Sequence, residues 1–249
     1  GPGIEFVTKD WVEGAPFIGS YQSLIGLYVI VFLLLQLVDL PKPTANEQQP
    51  RTRPFWEITR QTTWKISLLS AALGYAAMAL IMTATPLSMQ AHHHSFSASA
   101  FVIQWHVIAM FMPSFFTGNL IQRFGGKNIM LVGIGLNLLC ILINTQGQFF
   151  LSYWSALILL GVGWNFMFIA GTTLLTETYR PEEKALVQGV NDVLVFGAAA
   201  SGSLLAGVLQ NQIGWEILNI VVAPPLLLLA GWLLWLKRGR GILVQQPIH

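Results

Sequence analysis

The chain has 249 residues, of which 54% are hydrophobic and only 10% charged. Soluble domains carry about 25% charged residues, so this composition points to a protein solvated by lipid. A net charge of +2 gives no support to nucleic-acid binding, and the single cysteine, Cys140, excludes an intrachain disulfide and a Cys-pair metal site.

Residues 1–16 read as an outer segment, with Gly1-Pro2 as a cloning scar or a cut end. No basic region with a short apolar core precedes the first long apolar run, so no signal peptide is expected. A bilayer is crossed by about 20 apolar residues in a helix. Seven runs reach or approach that length: 17–39, 65–87, 98–121, 128–146, 149–176, 185–209 and 215–236. They are continuously apolar, unlike the alternating strands of about ten residues that build a membrane barrel. The expected fold is therefore an all-α membrane protein with seven transmembrane helices.

The charges between the runs set an orientation. The first gap holds Lys42, Arg51, Arg53, Arg60 and Lys65, and the third holds Arg123 and Lys127. The fifth holds Arg180 and Lys184, and the tail after residue 236 holds Lys237, Arg238 and Arg240. The second, fourth and sixth gaps hold no Lys or Arg, so 12 of the 13 cations lie on alternate segments and only Lys9 does not. Cation-rich loops face the cytoplasm. The N-terminus is expected outside and the C-terminus, with a tail at 237–249, inside.

Residues 40–64 are rich in Pro, Gln and Thr and read as a cytoplasmic linker that ends in an interfacial helix, "PFWEITRQTTW". One span precedes this linker and six follow it. Trp64, Trp215 and Trp235 fall near span ends, where interfacial tryptophans belong. Trp105 and Trp164 lie deeper. Pro113 and the pair Pro224-Pro225 fall inside spans and are expected to bend them. Ala198, Gly202 and Ala206 repeat every four residues and flatten one helix face for close packing.

Ionisable residues inside spans are costly and mark candidate functional positions. His106 lies about 12 Å deep in the third span, at 1.5 Å per residue, and Asp192 lies a similar distance into the sixth. A histidine suits proton transfer near neutral pH. The bland alternatives are a neutral histidine bonded between helices and an aspartate paired with a loop cation. Gln104, Asn137, Asn165 and Asn191 must be hydrogen-bonded or face water. Three adjacent histidines at 92–94 in an outer loop make a poor metal cage, and no cofactor or metal is expected.

The third gap, "GNLIQRFGGKN" (118–128), resembles the loop signature of the major facilitator superfamily, Gly-x-x-x-Asp-Arg-x-Gly-Arg-Arg/Lys. Gly118, Arg123, Gly125 and Lys127 match it. Gln122 replaces the acidic residue and Gly126 a basic one. "MTATPLSM…FVIQWHVIAMFMPSFFTG" and "GWNFMFIAGTTLLTETYRPEEKALVQGVNDVLVFG" are similar to a bacterial branch of that superfamily. The resemblance implies that 17–39 is the last helix of a truncated N-terminal bundle and that 65–236 is the C-terminal six-helix bundle. It implies a secondary transporter working by alternating access on a small-molecule solute, with protons as a coupling ion, in the bacterial inner membrane. Its partners would be the lipid bilayer and the missing N-terminal bundle. It further implies that Tyr75, Gln104, His106, Asn165 and Asp192 lie on the substrate or proton path, and that Asn137 is structural. The loop at 118–128 would act in gating, with Glu177 as a candidate acceptor for Arg123 in place of the missing carboxylate. A seven-helix receptor or sensor and a non-transporting assembly module are the alternatives. A retinal protein is not, because the last span has its lysine, Lys237, only at its end.

Overall fold

The computed structural model describes Thr8 and residues 18–38 and 53–243, with side chains to residue 238. Lys9, Asp39, most of the linker before Arg53, the side chain of Arg240 and the end of the tail lie outside the described residues. The chain divides into two compact units, Gly1–Gln49 and Pro50–His249. The first contains α1 (Ile18–Leu35), a helix of 18 residues without a charged side chain. At 1.5 Å per residue it is about 27 Å long, close to the hydrocarbon thickness of a bilayer.

The second unit consists of helices joined by short turns, with no strand among its described residues. Its elements are α2 (Phe55–Arg60), α3 (Thr62–Ala91), α4 (Phe96–Phe111), α5 (Ser114–Phe124), α6 (Gly126–Gln146), α7 (Phe150–Leu175), a 3-10 turn (Pro181–Glu183) and α8 (Lys184–Leu243). Five helices of the described chain are long and apolar enough to cross a membrane, and six are if α4 and α5 count as one bent span.

The second expected span begins earlier and ends later, at Thr62 and Ala91, and two further parts of the expected pattern are built differently. The third expected span is broken: α4 and α5 meet at an angle of 43°. The break falls at Pro113, which has no N–H to offer the preceding turn. The last two expected spans instead form one element of 60 residues, interrupted only where Gly214 takes φ 77° and ψ 173°. The stretch at 210–213 continues the helix rather than forming a loop. Gly214 alone supplies the reversal, because an L side chain disfavours that backbone angle. A straight helix of that length would reach about 90 Å, three bilayer cores.

Helix α7 is the centre of the bundle and packs against α3, α4 and α6. Leu157, Leu160, Met167 and Ala170 on it are fully buried. Packing is close enough that several neighbours meet backbone to backbone. A methyl group on Gly161 would lie 2.8 Å from the His106 carbonyl oxygen of α4, and one on Gly202 of α8 would lie 2.7 Å from the Ala76 carbonyl oxygen of α3. The small-residue face of α8 thus rests on α3, with Ala206 fully buried.

The bundle has two chemically different ends. At one, the start of α2 is bonded to the α7–α8 connection and Lys237 to Asn128. At the other, His94 is bonded to Gln148, and the Trp215 indole N–H donates to the Asn144 carbonyl at 3.1 Å. Tyr153 Oη sits 2.7 Å from Ser88 Oγ there. The first end carries Arg53, Arg60, Arg123, Lys127, Arg180, Lys184 and Lys237, and the second carries His92, His93 and His94.

Candidate functional site: an aromatic cluster, a stapled bend and a basic end

The half-buried ring of Tyr75, on α3, meets three others. Trp164 lies 5.2 Å away, Phe168 5.6 Å and Phe196 5.6 Å, all edge-on. Trp164 and Phe168 stand four residues apart on one face of α7 and stack at 5.1 Å with their planes 9° apart. Phe111, at the end of α4, completes the group 6.2 Å from Trp164. Four elements therefore contribute to one aromatic cluster. The buried Trp164 Nε1–H has no hydrogen-bond partner among the described residues. Of these residues, sequence reading singled out Tyr75 as a path residue and Trp164 as unusually deep. Phe111, Phe168 and Phe196 gave no signal, because one phenylalanine in an apolar span looks like another.

His106 and Asn165 share the seam between α4 and α7. His106 is fully buried, with Nδ1 2.7 Å from the Leu157 carbonyl oxygen and Nε2 unpartnered among the described residues. The arrangement fixes the ring between two helices. Asn165, also fully buried, is fully engaged at the α4–α5 break. Its Nδ2 donates to the Met110 carbonyl and to Ser114 Oγ, each at 2.7 Å, and its Oδ1 accepts from Thr117 Oγ1 at 2.7 Å. A broken helix leaves backbone groups without their i−4 partners, and in lipid these must be met by the protein. Asn165 does so for Met110, and it holds both arms of the bend.

The other residues expected on the path are placed differently. Gln104 and Asp192 are exposed on α4 and α8. Asp192 Oδ1 lies 3.3 Å from the adjacent Asn191 Nδ2, and the carboxylate makes no ion pair with a described residue. The structure does not bring His106 and Asp192 together. Asn137 packs beneath Gly163 and approaches the Met167 sulfur at 3.2 Å.

In the loop at 118–128, Gly125 takes φ 83° and joins α5 to α6 without a further residue. Its N–H donates to the Ile121 carbonyl at 2.8 Å, which closes the end of α5. Gly118, Gln122 and Arg123 are exposed, and Arg123 lies 5.3 Å over the Phe124 ring. Arg123 and Glu177 form no ion pair with each other. An ion pair at this end joins Arg53 to Glu183. Arg53 Nε donates to Glu183 Oε1 at 2.6 Å and Nη2 to Oε2 at 2.8 Å. Arg53 Nη2 and Gln61 Nε2 both reach the Thr178 carbonyl, at 2.9 and 3.0 Å. The hydrogen-bonded Arg53 guanidinium holds the Glu183 carboxyl below the usual carboxylate range, against the opposing effect of burial, and the carboxylate in turn raises Arg53.

A family model for the Major Facilitator Superfamily matches residues 15–191 and 67–244. The chain belongs to the major facilitator superfamily. It is 39% identical over 226 residues to the riboflavin transporter RfnT of Brucella anthropi, which covers 90% of this chain and 57% of that protein. It is 36% identical over 234 residues to the uncharacterized MFS-type transporter YddS of Bacillus subtilis, covering 90% and 53%. A tetracenomycin C resistance and export protein of Streptomyces glaucescens is 26% identical over 167 residues, covering 64% and 30%. The chain thus spans about half the length of the first two relatives. The superfamily and the long apolar helices make this an integral membrane protein of a transporter family.

Proposed function

We propose that this chain is the C-terminal six-helix bundle, with one preceding helix, of a secondary transporter for a flavin-like solute. The arms of α8 on either side of Gly214 count as two spans in this reading, which gives seven. The basic end lies in the cytoplasm of a bacterial inner membrane, with the N-terminus outside. Alternating access rocks this bundle against its N-terminal counterpart about a site near the midplane. The exposed apolar face of α8, including Val193 at 73% and Phe196 at 52% exposure, meets that counterpart.

The observation that carries the solute class is the aromatic cluster. An isoalloxazine ring is planar, uncharged and amphipathic. Rings supplied by Tyr75, Trp164, Phe168 and Phe196 offer such a molecule offset or edge contacts worth about 0.5–1.5 kcal/mol each. The unpartnered Trp164 N–H offers a donor to a ring carbonyl in a site otherwise poor in polar groups. The likeness to a riboflavin transporter agrees with that chemistry.

Proton coupling rests on His106, whose Nε2 is buried and unpartnered, and on Asp192 at the exposed face of α8. In this reading Asn165 contributes by setting the bend of α4 and α5 rather than by touching solute. The loop at 118–128, with Arg123 and Lys127, belongs to the cytoplasmic gate.

The test is uptake of labelled riboflavin by riboflavin-requiring cells that express the full transporter containing this chain. Growth and uptake at micromolar riboflavin, both lost on Trp164→Ala, are expected. Absence of uptake with a correctly inserted protein overturns the solute assignment. Replacing His106 by Gln and Asp192 by Asn should abolish stimulation by an imposed pH gradient. Unchanged stimulation removes the proton path.

A further inference from the structure

Thr83 Oγ1 of α3 and Ser203 Oγ of α8 lie 3.1 Å apart in a hydrogen bond that either can donate. The pair stands on the two helices that bring Tyr75 and Phe196 together. Ser203 comes two turns after Phe196 on the same face of α8, and Thr83 follows Tyr75 by a little more than two turns of α3. At 1.5 Å per residue the hydroxyls sit about 10–12 Å from the aromatic cluster, toward the end that carries His92 and His94. Between the two levels the helices touch, since a methyl on Gly202 would lie 2.7 Å from the Ala76 carbonyl oxygen, so this spacing is fixed. Ser203 is exposed and Thr83 half-buried. Leu87, one turn on from Thr83, and Leu204, next to Ser203, are exposed and apolar. Each hydroxyl can donate once and accept twice. Their mutual bond uses one proton and one lone pair, and neither makes another hydrogen bond to a described residue. In hydrocarbon that unused capacity is a cost, so the pair belongs where water or a solute meets it.

We propose that Thr83 and Ser203 bind an uncharged polyol side chain of the solute while the aromatic cluster holds its ring. This rests on the flavin-like reading above and extends it from the ring to its substituent. Ser203 shares the face of α8 that carries Phe196, so one molecule lying along α3 and α8 meets both levels. The separation suits a polyol chain extended from the centre of a tricyclic ring. Each hydroxyl of a polyol both donates and accepts, which matches the proton and lone pairs that Thr83 and Ser203 leave unused. A phosphorylated or carboxylated tail fits poorly. Positions 73–91 of α3 and 193–213 of α8 hold no Lys, Arg, Asp or Glu, and a charge taken out of water without a partner is costly. The two residues therefore select the substituent, and the aromatic rings select the plane it is attached to.

The test is competition against labelled riboflavin in cells expressing the full transporter that contains this chain. The competitors are unlabelled riboflavin and lumiflavin, which has the same ring with a methyl group in place of the polyol. In the wild type lumiflavin should compete roughly tenfold more weakly, the equivalent of two neutral hydrogen bonds. In Thr83→Val/Ser203→Ala riboflavin should weaken roughly tenfold while the inhibition constant of lumiflavin stays where it was, so the preference disappears. Thr83→Ser/Ser203→Thr keeps both hydroxyls and should keep the preference. Both ligands are compared on one protein, so a fall in the amount of folded transporter leaves the ratio untouched. The proposal is overturned if Thr83→Val/Ser203→Ala still prefers riboflavin, or if it loses both ligands equally, since the hydroxyls then only join α3 to α8. A wild type that takes up riboflavin without preferring it to lumiflavin also overturns it. Those results leave the solute assignment standing, whereas a correctly inserted wild type that takes up no flavin removes the assignment and the polyol contact together.

Discussion

Arg53 and Glu183 are 130 residues apart and share two hydrogen bonds across a fork-to-fork ion pair. The Glu183 side chain is fully buried, and 24% of that of Arg53 remains exposed. The Thr178 carbonyl takes a further bond from the same guanidinium. A charge so buried is tolerable only with its partner in place, and removing one side leaves the other uncompensated. The segment before α2 is therefore fastened to the turn between α7 and α8, and α2 is held down by Ile58, which packs with Trp64, Leu175 and Val187.

Replacing Glu183 by Gln keeps the shape and removes the charge. Because Arg53 keeps some water, the expected loss is about 2 kcal/mol, below the figure for a fully buried pair. Thermal unfolding in detergent should show it, and Arg53→Lys, which cannot form the two-pronged contact, should lose a comparable part. An unchanged Tm in both variants would show that the pair contributes nothing.

The same pair gives a pH dependence of defined sign. The carboxyl of Glu183 is depressed in the folded protein, chiefly by its hydrogen bonds from Arg53. Its stabilisation is complete above the unfolded value, about 4.3, and is lost as pH falls through the lower folded value. The difference in Tm between wild type and Glu183→Gln should be constant near neutral pH and shrink in acid below that point. A difference that grows in acid would contradict the assignment.

Asn165 should behave as a structural residue. Asn165→Leu removes a hydrogen bond to each of Met110, Ser114 and Thr117 and leaves the Met110 carbonyl buried without that donor. The expected cost is about 2–4 kcal/mol. Loss of folded protein in size-exclusion profiles, with Asn165→Gln only partly rescuing it, is the outcome that fits. A fully stable Asn165→Leu that merely alters solute affinity would instead return this residue to the solute path.

Close helix contact makes a paired prediction. Gly161→Ala drives a methyl to 2.8 Å from the His106 carbonyl oxygen and 3.0 Å from the Met110 nitrogen. The helices must part, at a cost of about 1–3 kcal/mol. Gly231→Ala meets nothing within 4 Å and should be neutral or stabilise by about 0.5–1 kcal/mol through helix propensity. The two changes are chemically identical, so opposite shifts in Tm isolate packing.

Tyr75 separates ring from hydroxyl. Its phenol oxygen has no hydrogen-bond partner among the described residues, while its ring touches three others. Tyr75→Phe in the full transporter should leave riboflavin uptake unchanged. Tyr75→Ala should raise KM roughly two- to tenfold, the equivalent of one lost aromatic contact. Equal effects of both would place the hydroxyl, rather than the ring, against the solute.

What the sequence announced and what it hid follow from range. Apolar length and charge alternation are local or additive, so the long helices and the sorting of cations to one end were legible residue by residue. Pro113 announced a bend because its missing N–H is a property of one position. The staple across that bend was not legible, because Asn165 looks the same whether its amide meets solute or a broken backbone 55 residues away. Arg53 likewise resembled any linker cation, and the choice of Glu183 over Glu177 as its partner depends on which way the turn after α7 points. The aromatic cluster needed four elements in register before it existed.

Gly214 has a mechanical consequence. The arms of α8 fold back so that Leu205 and Leu209 line one groove with Val221 and Pro225. Only one residue between them departs from helical geometry. A hinge with a long loop lets its two leaves swing independently, but a hairpin with no slack transmits tilt from one leaf to the other. Whatever displaces the α8 arm beside Tyr75 therefore also pulls on the arm that carries Lys237, so the aromatic centre and the basic rim of the bundle are geared together through a single glycine.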